Sequence, residues 1–242
     1  MTDVPVMSTI AFGFVLGLRH ALDADHVAAI AALARPGEGL RRALANGFSW
    51  GFGHALMIGL AGSLAIALRA AVPGRLALAF EFAAGLMLVV LGVAALRGAL
   101  RDRLHVHQHL HDDVAHAHLH FHAAPHGRGA HAPHRHPHPF RLALRPFLVG
   151  SVHGLAGSAA LALLVLATVP TALLGCLYLL LFGAGTTAGM MLMSLALGAP
   201  LVIARRRALW LSGALRAAAG LGSLGVGITL AWRTGLAAGL LG

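Results

Sequence analysis

Cys176 is the only cysteine in this chain of 242 residues, and lysine is missing altogether. One thiol excludes an internal disulfide, a CxxC redox pair and a thiolate metal cluster within a single copy. Charge is scarce as well: Asp and Glu together number 8, and charged residues make up 11% of the sequence. So little charge cannot cover a water-facing globule of this length. Aromatic residues are only 6%. No Gly-rich P-loop is present, so the chain carries no nucleotide-phosphate cradle of that type.

What fills the chain instead is apolar sequence. Hydrophobic residues account for 58% and the mean hydropathy is +0.79. The runs 5–34, 48–72, 77–98, 142–168, 170–197 and 209–232 each reach the roughly 20 residues that cross a bilayer as a helix. Glycine is abundant within them, as expected where membrane helices approach closely through small side chains. The three tryptophans, Trp50, Trp210 and Trp232, fall near the ends of these runs, where indoles favour the interface. The first run has no basic n-region and outlasts a signal-peptide core, so it is read as mature structure.

The net charge of +10 would suit nucleic acid, but its placement follows membrane topology. All 18 basic residues are arginine, and nearly all lie at segment ends or in alternate loops. Arg35, Arg41, Arg42, the seven from Arg97 to Arg145, and Arg205, Arg206, Arg207 and Arg216 share one side; Arg69, Arg75 and Arg233 flank the other. By the positive-inside rule the loops 35–47, 99–141 and 199–208 are cytoplasmic and both termini are outside. No nucleic-acid partner is expected.

The two halves of the chain resemble each other. FVLGLRHALDADHVAAI around His20 parallels FLVGSVHGLAGSAALAL around His153, and FGHALMIG at Phe52–Gly59 parallels FGAGTTAG at Phe182–Gly189. AAGL recurs at 83–86 and 218–221, with Gly92 and Gly227 each seven residues past the motif glycine. The offsets are 133, 130 and 135 residues, in order. Three spanning segments per half is an odd number, which makes the second half an inverted copy, a frequent transporter architecture with its site at the repeat interface. The fold expected is an all-α integral membrane protein of six transmembrane helices. They form two inverted three-helix repeats, residues 1–98 and 142–242, joined by a histidine-rich cytoplasmic loop over 99–141.

The 17 histidines fall into two sets: thirteen lie between His105 and His138, and the other four, His20, His26, His54 and His153, lie in the repeated motifs. An Asp at the centre of a membrane helix costs roughly 2.5–3.5 kcal/mol, yet the first segment holds Arg19, His20, Asp23, Asp25 and His26 together. On a regular helix at about 100° per residue, His20, Asp23 and His26 share a face and Asp25 points away. Were the helix broken here, His20, Asp25 and His26 would converge instead, and the sequence leaves both arrangements open. Imidazole nitrogen with carboxylate oxygen suits a borderline divalent ion such as nickel or cobalt. His54 offers a further nitrogen from the next segment. The second half keeps His153 but has Ala156, Ser158 and Ala159 in place of Asp23, Asp25 and His26, so binding is expected chiefly from the first half. Ser158, Thr186 and Thr187 are candidate hydroxyl contacts, and Glu81 reads equally as an interfacial carboxylate.

RHALDADHVAAI at Arg19–Ile30, with HxxxxDH as His20, Asp25 and His26, resembles the signature of the nickel/cobalt transporter (NiCoT) family of secondary permeases. FGHALMIG resembles that family's next-helix motif through His54, and HGLAGSAAL at His153–Leu161 resembles the urease-accessory-type nickel permeases. The resemblance implies metal recognition and translocation by these residues, with Ni2+ or Co2+ as transported substrate, no cofactor, and a bacterial inner-membrane location. The histidine-rich stretch 105–138, with its prolines and few large apolar residues, reads as a flexible segment offering many loose metal sites. Its cytoplasmic placement fits capture after uptake, the favoured direction, as well as collection for efflux. A membrane enzyme is disfavoured: there is no HExxH, and the membrane histidines are too few for an eight-histidine di-iron centre. A membrane-anchored metal store leaves the cluster at Asp23, Asp25 and His26 without a purpose. The partners implied are the ion and the lipid bilayer, with a second copy or another subunit left open.

Overall fold

The computed structural model describes residues 3–34, 39–69, 72–101, 104–111, 114–121, 139–168, 171–207 and 209–241. Seven α-helices run through them: α1 (Asp3–His20), α2 (Ala24–Leu33), α3 (Leu40–Leu68), α4 (Gly74–Arg101), α5 (Pro139–Thr168), α6 (Ala172–Arg207) and α7 (Leu209–Trp232). Among the described residues four stretches are long and apolar enough to cross a membrane: Leu40–Leu68, Gly74–Leu100, Ala172–Ala199 and Leu211–Ala237. The chain is an integral membrane protein. Its surface agrees: Leu60, Leu64, Leu68, Val90, Leu180, Leu192 and Leu221 are more than half exposed, while His26, His54 and His153 are buried. Apolar side chains outside and imidazoles inside suit a hydrocarbon solvent and not water.

The run 5–34, expected as one crossing, is two helices. The helical ladder closes early, with Leu22 N–H donating to the Arg19 carbonyl (2.9 Å) and Asp23 N–H to the His20 carbonyl (3.1 Å). Asp23 then turns extended (φ −61°, ψ 146°) at the start of α2. Its carboxylate makes no cap to the α2 backbone because it is held by His20 Nδ1 at 2.7 Å. Asp25 occupies the first turn of α2, where the helix dipole favours negative charge.

Helix packing runs between the halves of the chain: α3 lies against α5 and α6, α4 against α7, and α1 against α6. Glycines set the closest approach. A Cβ on Gly85 would come within 3.1 Å of the Gly227 carbonyl, and one on Gly92 within 2.7 Å of the Gly220 carbonyl. The Ser223 hydroxyl seals the same α4–α7 seam by donating to the Leu88 carbonyl at 2.9 Å.

Two expectations are corrected. Trp50 is not at an interface: α3 begins at Leu40, so the indole sits ten residues inside the helix and is 1% exposed. The insert is not wholly irregular either. Strands β1 (Leu104–His111) and β2 (Val114–Phe121) pair antiparallel, with His105 opposite His120, His107 opposite His118 and His109 opposite His116. Strict alternation of histidine with other residues has the period of a strand, and composition alone hides it. The histidines from His122 to His138 lie outside the described residues.

Candidate metal centre

The break between α1 and α2 brings His20 and His26 together, with ring centroids 4.6 Å apart. On a straight helix they would stand six residues, about 9 Å, apart along the axis. His54 enters from α3, 5.0 Å from His26 and 5.3 Å from His20. His153 enters from α5, 4.7 Å from His26. Glycine makes this possible on the α5 side: a Cβ on Gly154 would lie 3.0 Å from the His54 Cα, so the two backbones nearly touch where both histidines emerge. The six residues expected to bind metal, His20, Asp23, Asp25, His26, His54 and His153, therefore lie in one cluster, with Asp23 at its exposed edge.

The first segment is broken, the second of the two arrangements considered for it, and its two carboxylates serve different histidines. Asp23 does serve His20, through the 2.7 Å bond to Nδ1. Asp25 serves two of the other three histidines: one oxygen accepts from the His26 backbone N–H (3.0 Å) and pairs with His26 Nδ1 (3.0 Å), and the other pairs with His153 Nε2 (2.9 Å). Each carboxylate thus orients an imidazole by one ring nitrogen and leaves the opposite nitrogen bare, the arrangement by which carboxylates position metal-binding histidines. The bare nitrogens are His20 Nε2, His26 Nε2, His153 Nδ1 and both of His54, all without a hydrogen-bond partner among the described residues. Buried polar atoms are rarely left so, and here several are crowded together.

One donor atom from each of His20, His26 and His54 lies within 4.8 Å of the others. Donors at about 2.1 Å from an ion stand roughly 3–4 Å apart, so a shift of about 1 Å closes three nitrogens on a metal. Asp25, His26 and His153 form a second such group. The two carboxylates also match a divalent charge, so an ion held here carries no net charge into the hydrocarbon; an uncompensated one would be prohibitive. Oxygen-only ligation of a hard cation is a poor fit to so nitrogen-rich a centre, and a borderline transition ion is a good one.

Other candidates do not join. The Thr186 and Thr187 hydroxyls donate to the Phe182 and Gly183 carbonyls of their own helix at 2.8 Å each. The Ser158 side chain lies outside the described residues. Glu81, half-buried on α4, belongs to neither group of donors. Sequence reading missed Trp50, whose indole lies 5.7 Å from His26 and, edge-on, 6.0 Å from His153. Its spacing, four residues before His54 and so on the same face of α3, was the available signal. Phe182, 5.3 Å from His20, was likewise missed.

No solved structure matches this chain. It is 30% identical over 207 residues to the urease accessory protein UreH of Bacillus sp. (strain TB-90), covering 86% of this chain and 83% of that protein. Residues 6–239 match the NicO family, described as high-affinity nickel-transport protein. With that match spanning nearly the whole length, the chain belongs to the NicO family of nickel-transport proteins and is a membrane transporter, not an enzyme.

Proposed function

We propose that this protein is a secondary permease that carries Ni2+, with Co2+ as a second substrate, into the cell across the cytoplasmic membrane, no cofactor being required. The observation that carries the reading is the nitrogen triad of His20, His26 and His54, buried among apolar helices and backed by two carboxylates. Asp23 and Asp25 act mainly by orienting imidazoles and by offsetting the ion's charge, and His153 adds a ligand from the other half. Ions shed water and take up nitrogen ligands one by one, which replaces solvation without a charged intermediate in lipid.

The architecture we infer is six crossings in two inverted repeats, residues 1–98 and 142–242, with α1 and α2 together making the first crossing. Exchange of α1 with α5, α3 with α6 and α4 with α7 turns the α1–α6 packing into the α5–α3 packing and leaves α3–α6 and α4–α7 in place. The glycine seam supports it: at the repeat offset Gly85 corresponds to Gly220 and Gly92 to Gly227, and the seam pairs Gly85 with Gly227 and Gly92 with Gly220. That reciprocity is what a two-fold axis between the halves requires. The insert 99–141 then lies on the cytoplasmic side, where its histidines capture arriving ions and bias flux inward.

The test is nickel and cobalt flux into proteoliposomes of known orientation, for wild type, Asp25→Asn and a deletion of residues 105–138. Flux toward the insert side that collapses in Asp25→Asn and only weakens in the deletion supports an uptake permease. Flux away from the insert would make the protein an exporter. Binding confined to the insert with no flux in either direction would leave a metal store.

A further inference from the structure

The donors in the cluster do not converge on one point. They form two groups, His20 with His26 and His54, and Asp25 with His26 and His153, and the groups share only His26. Two divalent ions on one imidazole would repel strongly at such range in a low-dielectric interior, so the groups are alternatives for a single ion. They also differ in readiness. In the first group His20 Nε2, His26 Nε2 and both nitrogens of His54 are unpartnered. In the second, Asp25 ties His26 Nδ1 and His153 Nε2 together at 3.0 and 2.9 Å. An ion enters the first group at the cost of no hydrogen bond, and the second only by exchanging two.

Position orders them along a path. Each group has one partly exposed member, His20 at 20% and Asp25 at 30%, so exposure leaves the two alike and the order comes from what lies beyond the second group. Trp50 lies against both rings of the second group, tilted to His26 and edge-on to His153. Trp50 also lines a cavity of about 30 Å3, with Ile30, Ala34, Ala43, Asn46 and Ser194. That is room for a water or two, at the end of α2 and the beginning of α3. The Trp50 indole N–H has no hydrogen-bond partner among the described residues, so packing alone holds the ring in place.

We propose that the metal centre is two stations in series sharing His26: a loading station of His20, His26 and His54, and an exit station of Asp25, His26 and His153 that delivers the ion past Trp50 into the cavity behind it. His26 belongs to both stations by opposite ring nitrogens, Nε2 in the first and Nδ1 in the second, so the handover turns this ring from one to the other. This inference rests on the permease reading for its direction of travel, but the stations themselves are read by binding.

The experiment compares equilibrium Co2+ binding, followed by the visible cobalt spectrum of the purified full-length protein, with Co2+ flux in proteoliposomes. His54→Gln dismantles the loading station and is expected to weaken binding by about 10–100-fold. His153→Gln keeps a donor for Asp25 but offers no imidazole; binding is expected to weaken clearly less than in His54→Gln while flux falls by about 100-fold, a split between affinity and turnover. Parallel loss of binding in both variants would overturn the two stations in favour of one site. A second arm does not depend on His153. In a Cys176→Ser background, Ser194→Cys loaded with a bulky thiol reagent plugs the cavity, and flux should stop with binding unchanged. Undiminished flux through the plugged cavity would overturn the exit route. Wild-type protein that binds but does not transport would sink the permease reading, while the two binding comparisons still decide the stations.

Discussion

Replacing Asp25 by Asn removes a charge with almost no change of shape. The carboxylate accepts from the His26 backbone, pairs with His26 Nδ1 and pairs with His153 Nε2, all within 3.0 Å. An amide has one acceptor oxygen and a donating NH2, so one of the two imidazoles faces N–H against N–H and must turn its ring or shift its tautomer. Loss of such an orienting partner lowers metal affinity by about 10–100-fold. Removing one of two negative charges near a divalent ion adds a Coulomb loss of several kcal/mol at an effective dielectric near 20, part of which is recovered because the neutral amide is cheaper to bury. The net expectation is at least about 100-fold weaker binding, roughly 2.7 kcal/mol. Thermal stability of the metal-free protein should stay close to wild type, since the lost hydrogen bonds are offset by the lost desolvation cost. Isothermal titration with Ni2+ in detergent, alongside a thermal melt, reads both quantities. Affinity within about threefold of wild type would refute the argument that Asp25 organises the centre. Equal loss of affinity and fold would mean that its role is structural.

Four further expectations follow from the packing and the insert. Gly85→Leu drives a side chain into backbone atoms of α7, where a Cβ alone already meets the Ala231 nitrogen at 2.8 Å; a loss of about 1–3 kcal/mol or more is expected, read as a lower melting temperature. Gly222→Ala, where nothing lies within 4 Å, should hold or raise the melting temperature, by about 0.5–1 kcal/mol of helix propensity. Leu60, 58% exposed on α3, faces lipid on this reading, and Leu60→Arg should reduce membrane insertion by about 2.5–3.5 kcal/mol, measured as the inserted fraction; full insertion would place that face against protein or water. Three pairs of hairpin histidines sit opposite one another in register. Metal retained by residues 105–138 should therefore fall as pH drops through the ordinary imidazole pKa of about 6.5, because the protonated ring is no ligand. Retention unchanged at pH 5 would exclude imidazole binding there.

Much of this protein was legible in its sequence. Hydropathy and the scarcity of charge required membrane helices, and the cost of carboxylates in hydrocarbon marked His20, Asp23, Asp25 and His26 as candidates for a site. His54 and His153 stood out because imidazoles in apolar runs are rare. Local patterns of this kind express what each segment must do against its solvent, and solvent acts on every residue separately.

Tertiary structure decided how these residues divide the work. A straight helix and a broken one satisfy the same hydropathy, so the split of Asp23 to His20 and Asp25 to His26 appeared only once the break at residues 21–23 was seen. The bond from Asp25 to His153 joins residues 128 positions apart, and no periodicity within a segment reports a partner on another helix. Trp50 changed place for the same reason: its neighbours suggested a segment end, and only the packing of α3 against α5 put it between the histidines and the cavity. Sequence by itself determined which groups enter the membrane, because that depends on transfer from water. Which of them touch depends on the interdigitation of helices, and there a single glycine in the seam matters more than the hydropathy of a whole segment.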